Sequence, residues 1–131
     1  VLVVEDDSLI CMLIEDFLDI LGCEVVATAA QLEDGLAKAN STAIDVAVLD
    51  VNLHGQLSFP IALSLKGRAI PFVFATGYGT SGVPEIFTSV PLLSKPFGLE
   101  ELQAALQRAT AGRRRSAAST SGYSESSSEP Y

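Results

Sequence analysis

Val1-Leu2-Val3-Val4-Glu5-Asp6-Asp7 and Val46-Ala47-Val48-Leu49-Asp50-Val51-Asn52 share one pattern: a short apolar run that stops on a carboxylate. An uninterrupted apolar run of this length, rather than an alternating one, is the pattern of a strand covered on both faces, as in a parallel sheet. Pro71 to Ala75 repeats it, Pro91 to Leu93 is a shorter version, and Glu24 to Thr28 reads as a further strand. The stretches between them have helical spacing. Leu9, Ile10, Leu13, Ile14, Phe17, Leu18 and Leu21 share one helix face, with Ser8 placed as N-cap and Gly22 as the C′ residue. Leu32 to Ala39 forms a second helix around Leu36. A third starts near Ser58, carries Pro60 in its first turn and stops at Gly67. Pro84 to Val90 holds only a short helix, and Leu99 to Ala109 forms the last on a Leu99, Leu102, Leu106 stripe. Five alternations of strand and helix predict a doubly wound α/β fold with a five-stranded parallel sheet between helices. In such sheets ligands bind beyond the carboxyl ends of the strands.

The composition narrows the function. Sixteen acidic residues face 8 basic ones, for a formal charge of -8. Phosphate backbones are held by clustered Lys and Arg, so direct nucleic-acid binding is not expected. No run of about 18 apolar residues is present, and no membrane span or signal peptide is expected. Cys11 and Cys23 read as reduced, buried side chains of a cytoplasmic protein. Residue 1 is Val and opens directly into a strand, so the natural start is expected upstream. Residues 112–131 are rich in Ser, contain Arg113 to Arg115 and have almost no large apolar side chains. They are expected to form a disordered tail behind a folded body of residues 1–111.

The strand ends carry the chemistry. The first strand delivers Glu5, Asp6 and Asp7, the third Asp50 with Asn52 behind it, the fourth Thr76 and the fifth Lys95. Each has an ordinary reading alone: loop carboxylates, a turn threonine, a surface lysine. Jointly, the right residue types end four of five strands. Several carboxylates brought together repel unless a cation relieves them. Mg²⁺ suits a small set of carboxylate and carbonyl oxygens. Lys95 can pair with Asp50 and later with a phosphoryl oxygen, and Thr76 can donate a hydroxyl. Asp is a known nucleophile for aspartyl phosphate formation.

Val3-Val4-Glu5-Asp6-Asp7, Val48-Leu49-Asp50-Val51-Asn52-Leu53, Ala75-Thr76-Gly77 and Ser94-Lys95-Pro96-Phe97 together resemble the receiver domains of bacterial response regulators. The resemblance covers Val1 to about Ala109. It implies a flavodoxin-like sheet of order 2-1-3-4-5 and a receiver domain over residues 1–111. It implies Asp50 as phosphoacceptor, with Glu5, Asp6, Asp50 and the Asn52 carbonyl holding Mg²⁺, or Mn²⁺ in its place. Thr76 and Lys95 become the phosphate contacts, and Asp7 a bystander or cap. A histidine kinase or histidine phosphotransfer protein would be the donor, docking along the first helix, and an unidentified protein the downstream partner. The domain would catalyse its own modification without being an enzyme in the metabolic sense. Phe72-Val73-Phe74-Ala75-Thr76-Gly77-Tyr78 is similar to a subgroup with a Phe-Ala-Thr-Gly-Tyr motif, often stand-alone.

The pattern departs in three places. The position three residues before Lys95, aromatic in most receivers, is Leu92, and Tyr78 is the candidate to replace it. The segment after Asp50 has His54-Gly55-Gln56 instead of a Pro-Gly turn, with no donor role expected for His54. Gly77, Gly79 and Gly82 are expected to leave the stretch after the fourth strand mobile. Two other functions compete. A phosphohydrolase would carry a second Asp where Asn52 stands, and would turn over a small phosphate ester. A pseudo-receiver, acting without phosphorylation, would be consistent with Leu92.

Overall fold

The computed structural model describes residues 1–77 and 83–121, with side chains described through residue 111. The chain runs β1 (Leu2–Val4), α1 (Ser8–Ile20), β2 (Ala27–Ala29), α2 (Leu32–Ser41) and β3 (Ala47–Asp50). A small hairpin follows, β4 (Asn52–Leu53) and β5 (Gln56–Leu57), and then α3 (Phe59–Gly67) and β6 (Phe72–Thr76). A 3-10 turn (Glu85–Phe87), β7 (Leu92–Ser94) and α4 (Leu99–Ser121) complete the described chain.

The main sheet has the order β2-β1-β3-β6-β7, with every pairing parallel. Ranked by position in the chain, its five strands have the expected order 2-1-3-4-5. The apolar runs are uninterrupted because both sheet faces are covered. Leu2 and Val4 of β1, Leu49 of β3 and Phe72 and Phe74 of β6 enter one core with Ile61 and Leu65 of α3. Val3, Val48 and Val73, the alternate residues, enter the other with Ile14 and Leu18 of α1 and Leu102 of α4. Each fully buried side chain of this size contributes roughly 1.5–3 kcal/mol by leaving water.

The ends of α1 show what sequence spacing resolves to within a residue. The N-cap is Asp7, not Ser8: its carboxylate accepts the Leu9 N–H at 2.9 Å and the Ile10 N–H at 3.3 Å. Asp takes that position readily because its side chain satisfies donors that the first turn leaves free. At the other end Gly22 sits at φ +80. Its N–H reaches the Asp19 carbonyl and the Cys23 N–H reaches that of Leu18, a Schellman motif.

Other expectations shift. β2 is shorter and later than Glu24 to Thr28, an edge strand paired only with β1. The short fourth helix is a single 3-10 turn. The last helix continues past Ala109 to Ser121, through the first half of the expected tail, and residues 122–131 lie outside the described residues. Cys11 and Cys23 are free and half-buried rather than buried. The hairpin β4–β5, read from sequence as loop, pairs Asn52 with Leu57 and Leu53 with Gln56.

Candidate functional site

β1, β3, β6 and β7 end on the same edge of the sheet and bring Glu5, Asp6, Asp50, Thr76 and Lys95 toward one place. The register explains it: Val4 lies beside Leu49, Asp50 beside Ala75 and Thr76 beside Ser94. The ends of neighbouring strands therefore lie within one residue of each other. Glu5, Asp50 and Thr76 are 2%, 6% and 3% exposed. Lys95 bridges the two sides, with its Nζ 2.9 Å from Glu5 Oε1 and 3.0 Å from Asp50 Oδ2. Its backbone N–H donates to the Thr76 carbonyl at 2.8 Å, tying β7 to β6 at the site. The Lys95–Pro96 peptide bond is cis.

Glu5, Asp6 and Asp50 each offer a carboxylate oxygen within 4.8 Å of the others. Beside them the Asn52 N–H donates to Asp50 Oδ1 at 3.3 Å and the Asp7 N–H to Glu5 Oε2 at 3.2 Å. Asp6 stands at the rim, its side chain 21% exposed. Its Oδ2 accepts the His54 backbone N–H at 2.9 Å, while the His54 ring Nδ1 lies 3.6 Å away.

The electrostatics follow from one ammonium facing three carboxylates. Burial pushes the Glu5 carboxyl up to about 7, with Lys95 opposing the rise and the Asp50 charge adding to it. Burial also raises Asp50, against the pull of Lys95. Burial alone would lower Lys95, but Glu5 and Asp50 outweigh it and hold the ammonium charge above the ordinary lysine range. At Asp6 burial works against the charge, yet the His54 N–H and the neighbouring side chains outweigh it and lower the carboxyl. The fully ionised cluster keeps two uncompensated negative charges, which one divalent cation would balance. The donors are all hard oxygens, the set that Mg²⁺ takes.

The structure thus brings together Glu5, Asp6, Asp50 and Lys95, and sets Thr76 and Asn52 beside them. Leu92 pairs with Phe74 and is half-buried against the core on the α3 side. Tyr78 lies outside the described residues. Sequence reasoning missed the His54 N–H. It weighed His54 only by its ring, whereas the contribution is a backbone donor from a turn. The signal was present: His54-Gly55 flanked by Asn52-Leu53 and Gln56-Leu57 is a two-residue hairpin pattern.

Residues 1–107 match the family model described as "Response regulator receiver domain". The chain belongs to that family. As a receiver domain it is a signalling module of two-component systems. The sensory transduction protein LytR of Staphylococcus haemolyticus is 29% identical over 93 residues, 69% of this chain and 36% of LytR. The receiver thus spans about a third of that curated relative. Among solved structures, the solution structure of SdrG from Sphingomonas melonis Fr1 is 44% identical, with TM-score 0.74, covering 82% of this chain and 92% of SdrG. The receiver domain of the sensor histidine kinase PA1611 from Pseudomonas aeruginosa, solved with magnesium coordinated in its active-site cleft, is 26% identical. Its TM-score is 0.72 over 84% of this chain and 95% of that one. Among the described residues no helix is long and apolar enough to cross a membrane.

Proposed function

We propose that this receiver accepts a phosphoryl group from a phosphohistidine onto Asp50, with Mg²⁺ held by Glu5, Asp6, Asp50 and the Asn52 carbonyl. One observation carries the reading: a buried Asp50 sits 3.0 Å from the Lys95 ammonium and within 4.8 Å of an acidic pair. Asp50 supplies the attacking oxygen, the phosphorus–nitrogen bond of the donor breaks, and the departing imidazole takes up a proton. The protein positions the carboxylate and stabilises the spreading charge. Lys95 and the Thr76 hydroxyl take phosphoryl oxygens, and a bound Mg²⁺ would neutralise the remaining charge. The PA1611 receiver, with magnesium in its cleft, supports that choice of metal.

The donor is a histidine kinase or a histidine phosphotransfer protein docking along α1. Leu9, Met12, Leu13 and Ile20 are exposed and share one face of that helix, an apolar stripe suited to a partner helix. The similarity to SdrG supports placing the chain in the subgroup marked by Phe74-Ala75-Thr76-Gly77-Tyr78. The downstream partner is a protein reading the β6–β7 side of the site. The pseudo-receiver reading is favoured by Leu92, which replaces the usual aromatic.

Incubation with Mg²⁺ and a small phosphodonor such as acetyl phosphate separates the two. Intact mass spectrometry is expected to show one added phosphoryl group, lost in Asp50→Ala and in the presence of a chelator. A folded, Mg²⁺-binding protein that gains nothing from either the small donor or a phosphorylated phosphotransfer protein would point to the pseudo-receiver.

A further inference from the structure

The hairpin after Asp50 is built with more care than a connecting loop requires. His54 and Gly55 have φ of +52 and +87, the two positive values that a type I′ turn demands. The Asn52 Oδ1 accepts the Gly55 N–H at 2.6 Å and closes the turn from inside. Leu53, 1% exposed, anchors one leg in the core, and the Ser58 N–H returns to the Val51 carbonyl at 2.9 Å. The turn thus has a fixed register, and it points one donor outward: the His54 N–H, 2.9 Å from Asp6 Oδ2.

Asp6 is the carboxylate that most needs such a partner. Glu5 and Asp50 are held by burial and by Lys95, whereas Asp6 is the rim member and makes no ion pair with Lys95 among the described contacts. A rim carboxylate without a fixed donor samples several rotamers in water, and a cation must then bear the cost of ordering it. Partners of metal ligands commonly change metal affinity by about 10–100-fold.

We propose that the His54-Gly55 turn is a positioning element of the cation site, setting Mg²⁺ affinity through the His54 backbone N–H on Asp6. The proposal rests on the phosphoacceptor reading above, which makes Asp6 a cation ligand. His54 acts through Asp6, not on the phosphoryl group. The imidazole Nδ1, 3.6 Å from the same oxygen, is the longer of the two contacts, and His54→Gly separates it from the N–H.

Gly55 gives the test. A Cβ placed there meets nothing within 4 Å, so a substitution strains the turn without a clash. Gly55→Val in the full chain is expected to weaken Mg²⁺ binding about tenfold by calorimetry. Asn52→Ala, which removes the side-chain bond to Gly55 but keeps the backbone carbonyl, is expected to weaken it by a smaller factor. Phosphoryl uptake in Gly55→Val is expected to return to the parent rate at saturating Mg²⁺, an affinity effect that a merely misfolded variant would not show. His54→Gly keeps the turn and the N–H, and is expected to lose no more than about twofold. Wild-type affinity in both Gly55→Val and Asn52→Ala would overturn the proposal, as would a loss in His54→Gly equal to that in Gly55→Val. A parent chain that binds no Mg²⁺ would overturn the phosphoacceptor reading itself, and this proposal with it.

Discussion

The two flanks of the Asp50 site are made differently. On the β1–β3 flank, carboxylates are held by short, specific contacts: Asp7 caps α1, the His54 N–H holds Asp6, and the Asn52 N–H meets Asp50. On the β6–β7 flank the element between the two strands, among the described residues, is one 3-10 turn, Glu85–Phe87, and its anchor is apolar. Phe87 is 2% exposed and lies against Phe59, Phe72 and Phe74 with ring centroids 5.4 to 6.0 Å apart. The first flank fixes geometry through directional bonds. On the second, the 3-10 turn is held by non-directional apolar burial, while Lys95 supplies the directional contacts at the strand ends. The proposed switch, with a cation on one side and a protein readout on the other, has use for that division.

Phe87→Ala strikes the second flank alone. It is expected to cost about 3–5 kcal/mol in denaturant unfolding, the range for a buried Phe, while Mg²⁺ affinity stays within about twofold. An equal loss of cation affinity would erase the distinction between the flanks. Lys95→Ala joins them, since it leaves Glu5 and Asp50 facing each other without their ammonium. A metal-free loss of about 3 kcal/mol is expected, reduced by saturating Mg²⁺, because removing one partner strands buried charge. A loss that Mg²⁺ does not reduce would contradict the shared neutralisation of the cluster.

The pH dependence tests the first flank. Glu5 binds its proton more tightly in the folded chain, where its carboxyl is raised from 4.5 to about 7. Its contribution is therefore full below pH 4.5 and is lost as pH rises toward 7; the raised Asp50 works in the same direction. Metal-free stability is expected to fall between pH 5 and pH 8 by on the order of 3 kcal/mol, and Mg²⁺ to close most of the gap. Equal metal-free stability at both values would contradict it. The smallest effect is Asp7→Ala, which removes the N-cap of α1. About 1 kcal/mol of stability is expected to go, with phosphoryl uptake kept at saturating Mg²⁺.

Legibility in the sequence divides along the same line. The sheet was readable because both faces of β1, β3 and β6 are buried, and burial on two sides writes an uninterrupted apolar run. The candidate site residues were brought to attention by position: Asp50 and Thr76 end strands, and Glu5, Asp6 and Lys95 follow one within two residues. What escaped depends on backbone geometry rather than side-chain type. The hairpin legs are two residues each, too short to show alternation, and the donor on Asp6 is an N–H that any residue but Pro would carry at position 54. The cap moved from Ser8 to Asp7 because both side chains can accept the same donors. α4 runs beyond its apolar stripe through a stretch that holds Ala111, Arg113 to Arg115, Ala117 and Ala118, good helix formers, and extending a helix already begun costs less than starting one. The weak fourth helix was anticipated from Pro84 and the glycines before it, but the Phe87 anchor that stands in for it was not.

The most direct test of the account is to locate the phosphoryl group. The chain would be treated with phosphodonor and Mg²⁺, reduced with borohydride to convert any aspartyl phosphate to homoserine, digested and mapped by mass spectrometry. Homoserine is expected at position 50 and nowhere else, dependent on Mg²⁺. Homoserine at Asp6 or Asp7 with Asp50 intact, or a stable phosphate on Thr76, Ser58 or His54, would contradict it.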